Sequence, residues 1–241
     1  MQQGKPLYRR ILLKLSGEAL QSAASSIDAQ KLESISQEIA EVIQSGVQIA
    51  LVVGAGNILR GAGLESMGLD RVTADQMGML ATMINGLALR DALNAEGVSA
   101  KIMSAIAAPG LVDFYNRQHA IDALKQNQVV IFVAGTGNPL VTTDSAAALR
   151  GIEIEADIVF KATKVDGVFA ADPVKNPKAQ RYTSLTYDEV LEQRLGVMDL
   201  NAILLCQEHQ LPLRVFNMSQ PSVLKKILYG ADIGTLIQTG A

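Results

Sequence analysis

The stretch Val47-Gln-Ile-Ala-Leu-Val-Val-Gly-Ala-Gly-Asn57 decides the class of fold. Its first part is a nearly continuous apolar run of strand length, the pattern of a strand buried on both faces. It stops at a loop with two glycines, as a strand does before a turn into a helix. Doubly covered strands belong to parallel sheets with helices on either side. The flanks agree. Upstream lies the strand-like Arg10-Ile-Leu-Leu-Lys-Leu15, then a helix pattern from about Asp28 through Leu32, Ile35, Ile39 and Val42 that stops at Gly46. Downstream, Thr73 to Gln76 has the form of a capping box and predicts the start of a helix reaching Leu93.

The alternation continues to the end of the chain. Strands are predicted at 98–103, 129–133, 157–161, 212–216 and 235–237, with a short extended piece at Val168-Phe169. Helices are predicted at 117–126, 144–154, from a capping box at Thr186–Glu189, at 199–209 and at 220–228. The expectation is one α/β domain over residues 1–241, a three-layer αβα sandwich around a largely parallel sheet of about eight strands. It should have two lobes, about 1–155 and about 156–241, without a linker between them.

Composition narrows the function. The chain has 241 residues and a net charge of −3, so no global basic field draws it to nucleic acid or anionic membrane. Aromatics are 4% with no Trp, too few for a base-stacking platform. The single cysteine, Cys206, excludes an intramolecular disulfide and reads as a buried structural thiol. No apolar run has the length of a membrane span or a signal-peptide core, so a soluble, cytoplasmic protein is expected.

Three strand ends run into glycine loops: Lys14-Leu-Ser-Gly17, Gly54-Ala-Gly-Asn57 and Gly135-Thr-Gly-Asn138. Ligands in open α/β sheets sit beyond the carboxyl ends of strands, and glycine lets backbone N–H groups approach phosphates. Known signatures are absent. No Walker A loop exists, the second loop misses Gly-x-Gly-x-x-Gly, and His119, His209 and Cys206 are too scattered for zinc. Lys14 interrupts an apolar strand, Arg60 follows the second loop and Lys161 ends a strand. Each could form a salt bridge or a solvated strand end. Converging on the loops, the three would suit phosphoryl transfer, which depends on positioning and charge stabilisation. Thr142, Thr143 and Asp144 open the helix after the third loop, either as N-caps or as ligands of phosphate and organisers of a lysine or Mg²⁺.

Lys14-Leu-Ser-Gly-Glu18, Gly135-Thr-Gly-Asn-Pro139 with Thr142-Thr-Asp144, and Lys161-Ala-Thr-Lys-Val-Asp-Gly167 together resemble the bacterial uridylate (UMP) kinases of the amino acid kinase superfamily. Met77-Gly-Met-Leu-Ala-Thr82 and Val197-Met-Asp-Leu200 match as well, and the similarity runs from Tyr8 to Ile237. The resemblance implies transfer of the γ-phosphoryl group of Mg-ATP to UMP in a cytoplasmic homohexamer controlled by GTP and UTP. Under it, the first lobe binds UMP and the second ATP. Lys14, Leu15, Ser16 and Gly17 would bind ATP phosphates, with Gly56 and Arg60 beside the transferred group and Thr163, Phe169 and Asp172 around the base and ribose. Ala55, Asp75 and the run Thr136, Gly137, Asn138, Pro139, Leu140, Val141, Thr142 and Thr143 would hold UMP. Asp144 matches an active-site carboxylate, and Lys161 follows by superfamily analogy.

The chain departs from that family at three places. Ala55 stands where a third glycine is usual, and a Cβ there costs about 1 kcal/mol if the backbone must be left-handed. Leu140-Val141 replaces two aromatics. Ser22-Ala-Ala-Ser-Ser26 replaces a glycine-bearing loop tied to GTP activation, so UTP inhibition carries over while GTP activation lacks its loop. The alternatives are a related acid or carbamate kinase and a non-catalytic sensor of uridine nucleotides.

Overall fold

The structure, a computed structural model, describes residues 4–59, 68–171, 175–176 and 178–240. Nine strands form one sheet among these residues: β1 (Arg10–Leu15), β2 (Gln48–Val53), β3 (Ala100–Ser104), β4 (Asp113–Phe114), β5 (Val129–Val133), β6 (Ile158–Thr163), β7 (Ser184–Thr186), β8 (Leu213–Asn217) and β9 (Thr235–Gln238). Their order is β4-β3-β5-β2-β1-β6-β8-β9-β7. Every pairing is parallel except β8 with β9. The sheet was expected to have about eight strands. The 2-residue β4 and the 3-residue β7 are too short to show an alternating pattern in sequence.

The helices are α1 (Ala29–Gln44), α2 (Arg71–Ala95), α3 (Arg117–Lys125), α4 (Thr143–Glu153), α5 (Tyr187–Glu192), α6 (Leu200–Glu208) and α7 (Val223–Leu228), with a 3₁₀ turn at Gly17–Leu20. Side-chain alternation along the strands sorts them into two layers. Ile11, Leu13, Leu15, Ile49, Leu51 and Val53 pack with Ile39 of α1, Met83 of α2 and Leu224 of α7. Leu12, Ala50, Val52 and Val130 pack on the other face with Leu124 of α3, Ala147 of α4, Tyr187 of α5 and Cys206 of α6. This is the three-layer sandwich, and it explains why β1 and β2 are apolar on both faces. Cys206 is buried, as its reading as a structural thiol predicts, and both histidines are exposed. No helix among the described residues is long and apolar enough to cross a membrane.

The start of α2 differs from expectation. Asp70, not Thr73, is the N-cap, and its carboxylate accepts from Thr73 N at 3.1 Å. A carboxylate at N-cap satisfies an orphan amide and meets the positive end of the helix dipole. Both arrangements place an oxygen acceptor near Thr73, so the sequence pattern was displaced by one turn. The capping box at Thr186 and Glu189 is present as read.

The chain builds β1–β5 on one side of β1 and then crosses to β6 on the other. The crevice above the β1–β6 seam is therefore a topological switch point, where open α/β sheets bind ligands.

Candidate active site

Lys14 and Lys161 lie directly across from each other in the β1–β6 ladder. Each occupies the position where its strand would otherwise send an apolar residue toward α4. Two ammonium groups side by side in a largely buried place repel, and burial disfavours their charge. Asp144 in the first turn of α4 resolves this. Its Oδ1 lies 2.8 Å from Lys14 Nζ, an ionic contact off the line of a hydrogen bond, and its Oδ2 accepts from Lys161 Nζ at 2.7 Å. Lys161 also donates to the Val197 carbonyl. Burial lowers the Lys161 pKa below the ordinary lysine value; Asp144 pulls it back up, while Lys14 pushes it further down. Two cations and one anion leave one surplus positive charge at the rim of the sheet, suited to a phosphoryl group.

The N-terminus of α4 is held in place by a second carboxylate. Thr142 caps the helix, its Oγ1 accepting from Asp144 N at 3.1 Å and Ser145 N at 3.3 Å. Asp199, the N-cap of α6, accepts from Thr142 Oγ1, from Ser145 Oγ at 2.8 Å and from Ala202 N at 3.0 Å. Burial would raise the Asp199 pKa, but the hydrogen bonds from Thr142, Ser145 and Ala202 outweigh it and hold the carboxyl below its usual range. One carboxylate thus clamps two helix starts together.

Cavities open on both sides of this group. One, of about 220 Å³, is lined by Ala55, Asp75, Thr136, Val141, Thr142 and Thr143 among the residues expected for UMP, and also by Arg71, Gly78, Met79 and Thr82. The other, of about 340 Å³, is lined by Lys161, Thr163, Val165, Phe169 and Val197. Asp144 follows Thr143 of the first cavity and binds Lys161 of the second. Gly137, Asn138, Pro139 and Leu140 do not line the first cavity; Leu140 is 64% exposed and left-handed with φ 66°. Asp75 anchors that loop by accepting from Leu140 N at 2.8 Å, while Arg71 Nε approaches both Asp75 oxygens at 3.2 Å. Arg71 carries no motif and escapes sequence reading, although it stands four residues before Asp75, the spacing of a helical ion pair.

Leu15, Ser16 and Gly17 follow Lys14 at the β1 end, and Gly17 meets the second glycine loop. A Cβ on Gly17 would lie 2.4 Å from Asn57 Oδ1 and 2.6 Å from Gly56 N. The two loops are therefore packed backbone to backbone, as the close approach expected of phosphate loops requires. Ala55 is not among the left-handed residues, so its Cβ carries no conformational cost. Arg60 and Asp172 lie outside the described residues.

Residues 9–217 match the profile of the Amino acid kinase family. The uridylate kinase of Yersinia pestis (strain Pestoides F) is 58% identical over 234 residues, covering 97% of each chain. The crystal structure of UMP kinase from Bacillus anthracis superposes with a TM-score of 0.94 at 40% identity and covers 97% of each chain. That of UMP kinase from Ureaplasma parvum gives 0.91 at 40% identity, covering 96% of this chain and 99% of its own.

Proposed function

The chain belongs to the amino acid kinase family, and from that premise we propose that it transfers the γ-phosphoryl group of ATP to UMP, giving ADP and UDP. The observation that carries the site assignment is the Lys14–Asp144–Lys161 group between two cavities. The cavity with Asp75 takes UMP, and the one with Thr163 and Phe169 takes the adenosine of ATP. The parts before and after about residue 155 are then the acceptor and donor lobes.

The acceptor atom is a phosphate oxygen, ionised at neutral pH, so the reaction needs no general base. It needs two polyanions brought together, which is a task for fixed positive charge and backbone N–H groups. Lys14 and Lys161 supply that charge in the transition state, and Asp144 holds both ammonium groups in place and offsets the burial of Lys161. Gly17 and Gly56 admit the triphosphate close to the backbone. Asp75 offers acceptor oxygens suited to the hydroxyls of a ribose.

Among the described residues no three His, Cys, Asp or Glu gather as a metal site, and Asp144 is engaged by two lysines. The residues fit a Mg²⁺ that arrives on the ATP phosphates as part of the substrate. This reading carries with it a homohexamer inhibited by UTP. The outward positions Leu80 and Ile84 of α2, 54% and 49% exposed, offer apolar surface for a subunit contact.

The test is ADP release from Mg-ATP with UMP, CMP, AMP, carbamate or N-acetylglutamate as acceptor. Release with UMP alone is expected. Release with carbamate or N-acetylglutamate would overturn the acceptor, and binding of UMP without release would leave a sensor.

A further inference from the structure

Asn57 and Asn85 are buried, 8% and 0% exposed, and neither belongs to the lysine group or lines the two cavities. Their amides pair reciprocally. Asn57 Nδ2 donates to Asn85 Oδ1 at 2.8 Å, and Asn85 Nδ2 donates to Asn57 Oδ1 at 2.8 Å. Each nitrogen has a second acceptor: Ser26 O at 2.8 Å for Asn57 and Gly54 O at 2.8 Å for Asn85. All four amide hydrogens therefore have partners. Such complete satisfaction makes a buried polar pair specific, since turning either amide over would set oxygen against oxygen.

Asparagine is a poor choice for the middle of α2 on local grounds. It is a weak helix former, and a buried amide is costly unless fully bonded. What Asn85 does there is grip the second glycine loop at both ends, by the Gly54 carbonyl and by the Asn57 side chain. The peptides of Ala55 and Gly56 are held between these two points. Asn57 extends the tie to Ser26, and Gly17 lies against it so closely that a Cβ would strike Asn57 Oδ1.

We propose that the Asn57–Asn85 amide pair is the positioning device of the phosphate site, fixing the Gly54–Gly56 backbone against the transferred phosphoryl group and tying it to the segment at Ser26. This rests on the kinase reading above. A displacement of about 1 Å in a positioning element can cost on the order of 10² in rate. Neither side chain needs to touch substrate for that.

Asn85→Asp keeps the shape but replaces two donors with acceptors. The expected result is a kcat lower by about 10²-fold with KM for UMP and ATP changed less than about fivefold, the pattern of lost positioning. The introduced carboxyl is buried, so it protonates readily and regains one donor. Turnover of the variant should therefore recover in part as pH falls toward about 5.5, which that of the unaltered chain should not. If this variant does not fold, Asn57→Ser at the loop serves instead, with the same expected loss of kcat. A folded variant with kcat within about threefold of the unaltered chain, or with only KM changed, overturns the proposal. Should the unaltered chain release no ADP with UMP, the kinase reading fails. Hydrogen exchange then still tests the pair: faster exchange of the 54–57 amides in Asn85→Asp supports it, and unchanged exchange overturns it.

Discussion

At the scale of the residue, the decisive side chain is Asp144, one anion that makes two buried lysines tolerable. Removing one lysine while keeping the other leaves a neutral pair with Asp144, so the loss need not expose an uncompensated charge. Lys161→Met is expected to lower turnover by at least 10²-fold while the thermal midpoint stays equal or rises, which calorimetry and an ADP assay check together. In the proposed role the lysine must be charged, and its pKa lies below the ordinary value. Turnover should therefore fall as pH rises through that lowered pKa, an alkaline limb at a lower pH than a free lysine would give. Lys161→Arg should move this limb upward, because guanidinium stays protonated. Arg71 lines the cavity proposed for the acceptor. Arg71→Ala frees the Asp75 carboxylate from its ion pair, and a severalfold higher KM for UMP with KM for ATP unchanged is the expected outcome in steady-state assays. Cys206 illustrates the opposite case. Burial pushes its thiol up to about 12, so it should resist alkylation in the native protein and react only on unfolding, as mass spectrometry after iodoacetamide would show.

At the scale of the element, the junction of the first two glycine loops is the tightest constraint. Gly17→Ala places a Cβ against the backbone of Gly56, which cannot swing aside as a long side chain could. Turnover should be abolished with far-ultraviolet circular dichroism retained, since β1 and β2 are built from other residues. Retained turnover would mean the loops part freely. Strand interiors were legible because β1, β2, β5 and β6 carry long apolar runs, and the loops because glycine has few reasons to recur at strand ends. The short edges β4 and β7 carry no such period, and their places are set by neighbours β3 and β9. The α2 start was misplaced because Asp70 and Thr73 both satisfy the rules for a cap. That Lys14 and Lys161 converge, and that Asp144 organises a lysine, could be anticipated, but that one Asp144 meets both lysines depends on the pairing of β1 with β6 and on the Asp199 clamp. Both join residues distant in sequence and leave no local signal.

At the scale of the whole molecule, one sheet runs through both proposed lobes, and each core cluster continues across the β1–β6 seam. The molecule should therefore melt in a single transition, and UMP should raise that whole transition. At about 100 times the dissociation constant the shift corresponds to about 2.7 kcal/mol. Two calorimetric peaks, only one of them moved by UMP, would show that the lobes unfold separately. The facing of Lys14 and Lys161 has a further consequence, for folding fidelity. A parallel strand that slips by one residue sends all its side chains to the opposite faces. A slipped β1 or β6 would drive an ammonium group into the apolar layer under α1, away from Asp144, at a cost that no hydrophobic gain there could offset. The two facing charges, proposed above to meet phosphate, thus also proofread the register of the two central strands as the chain assembles.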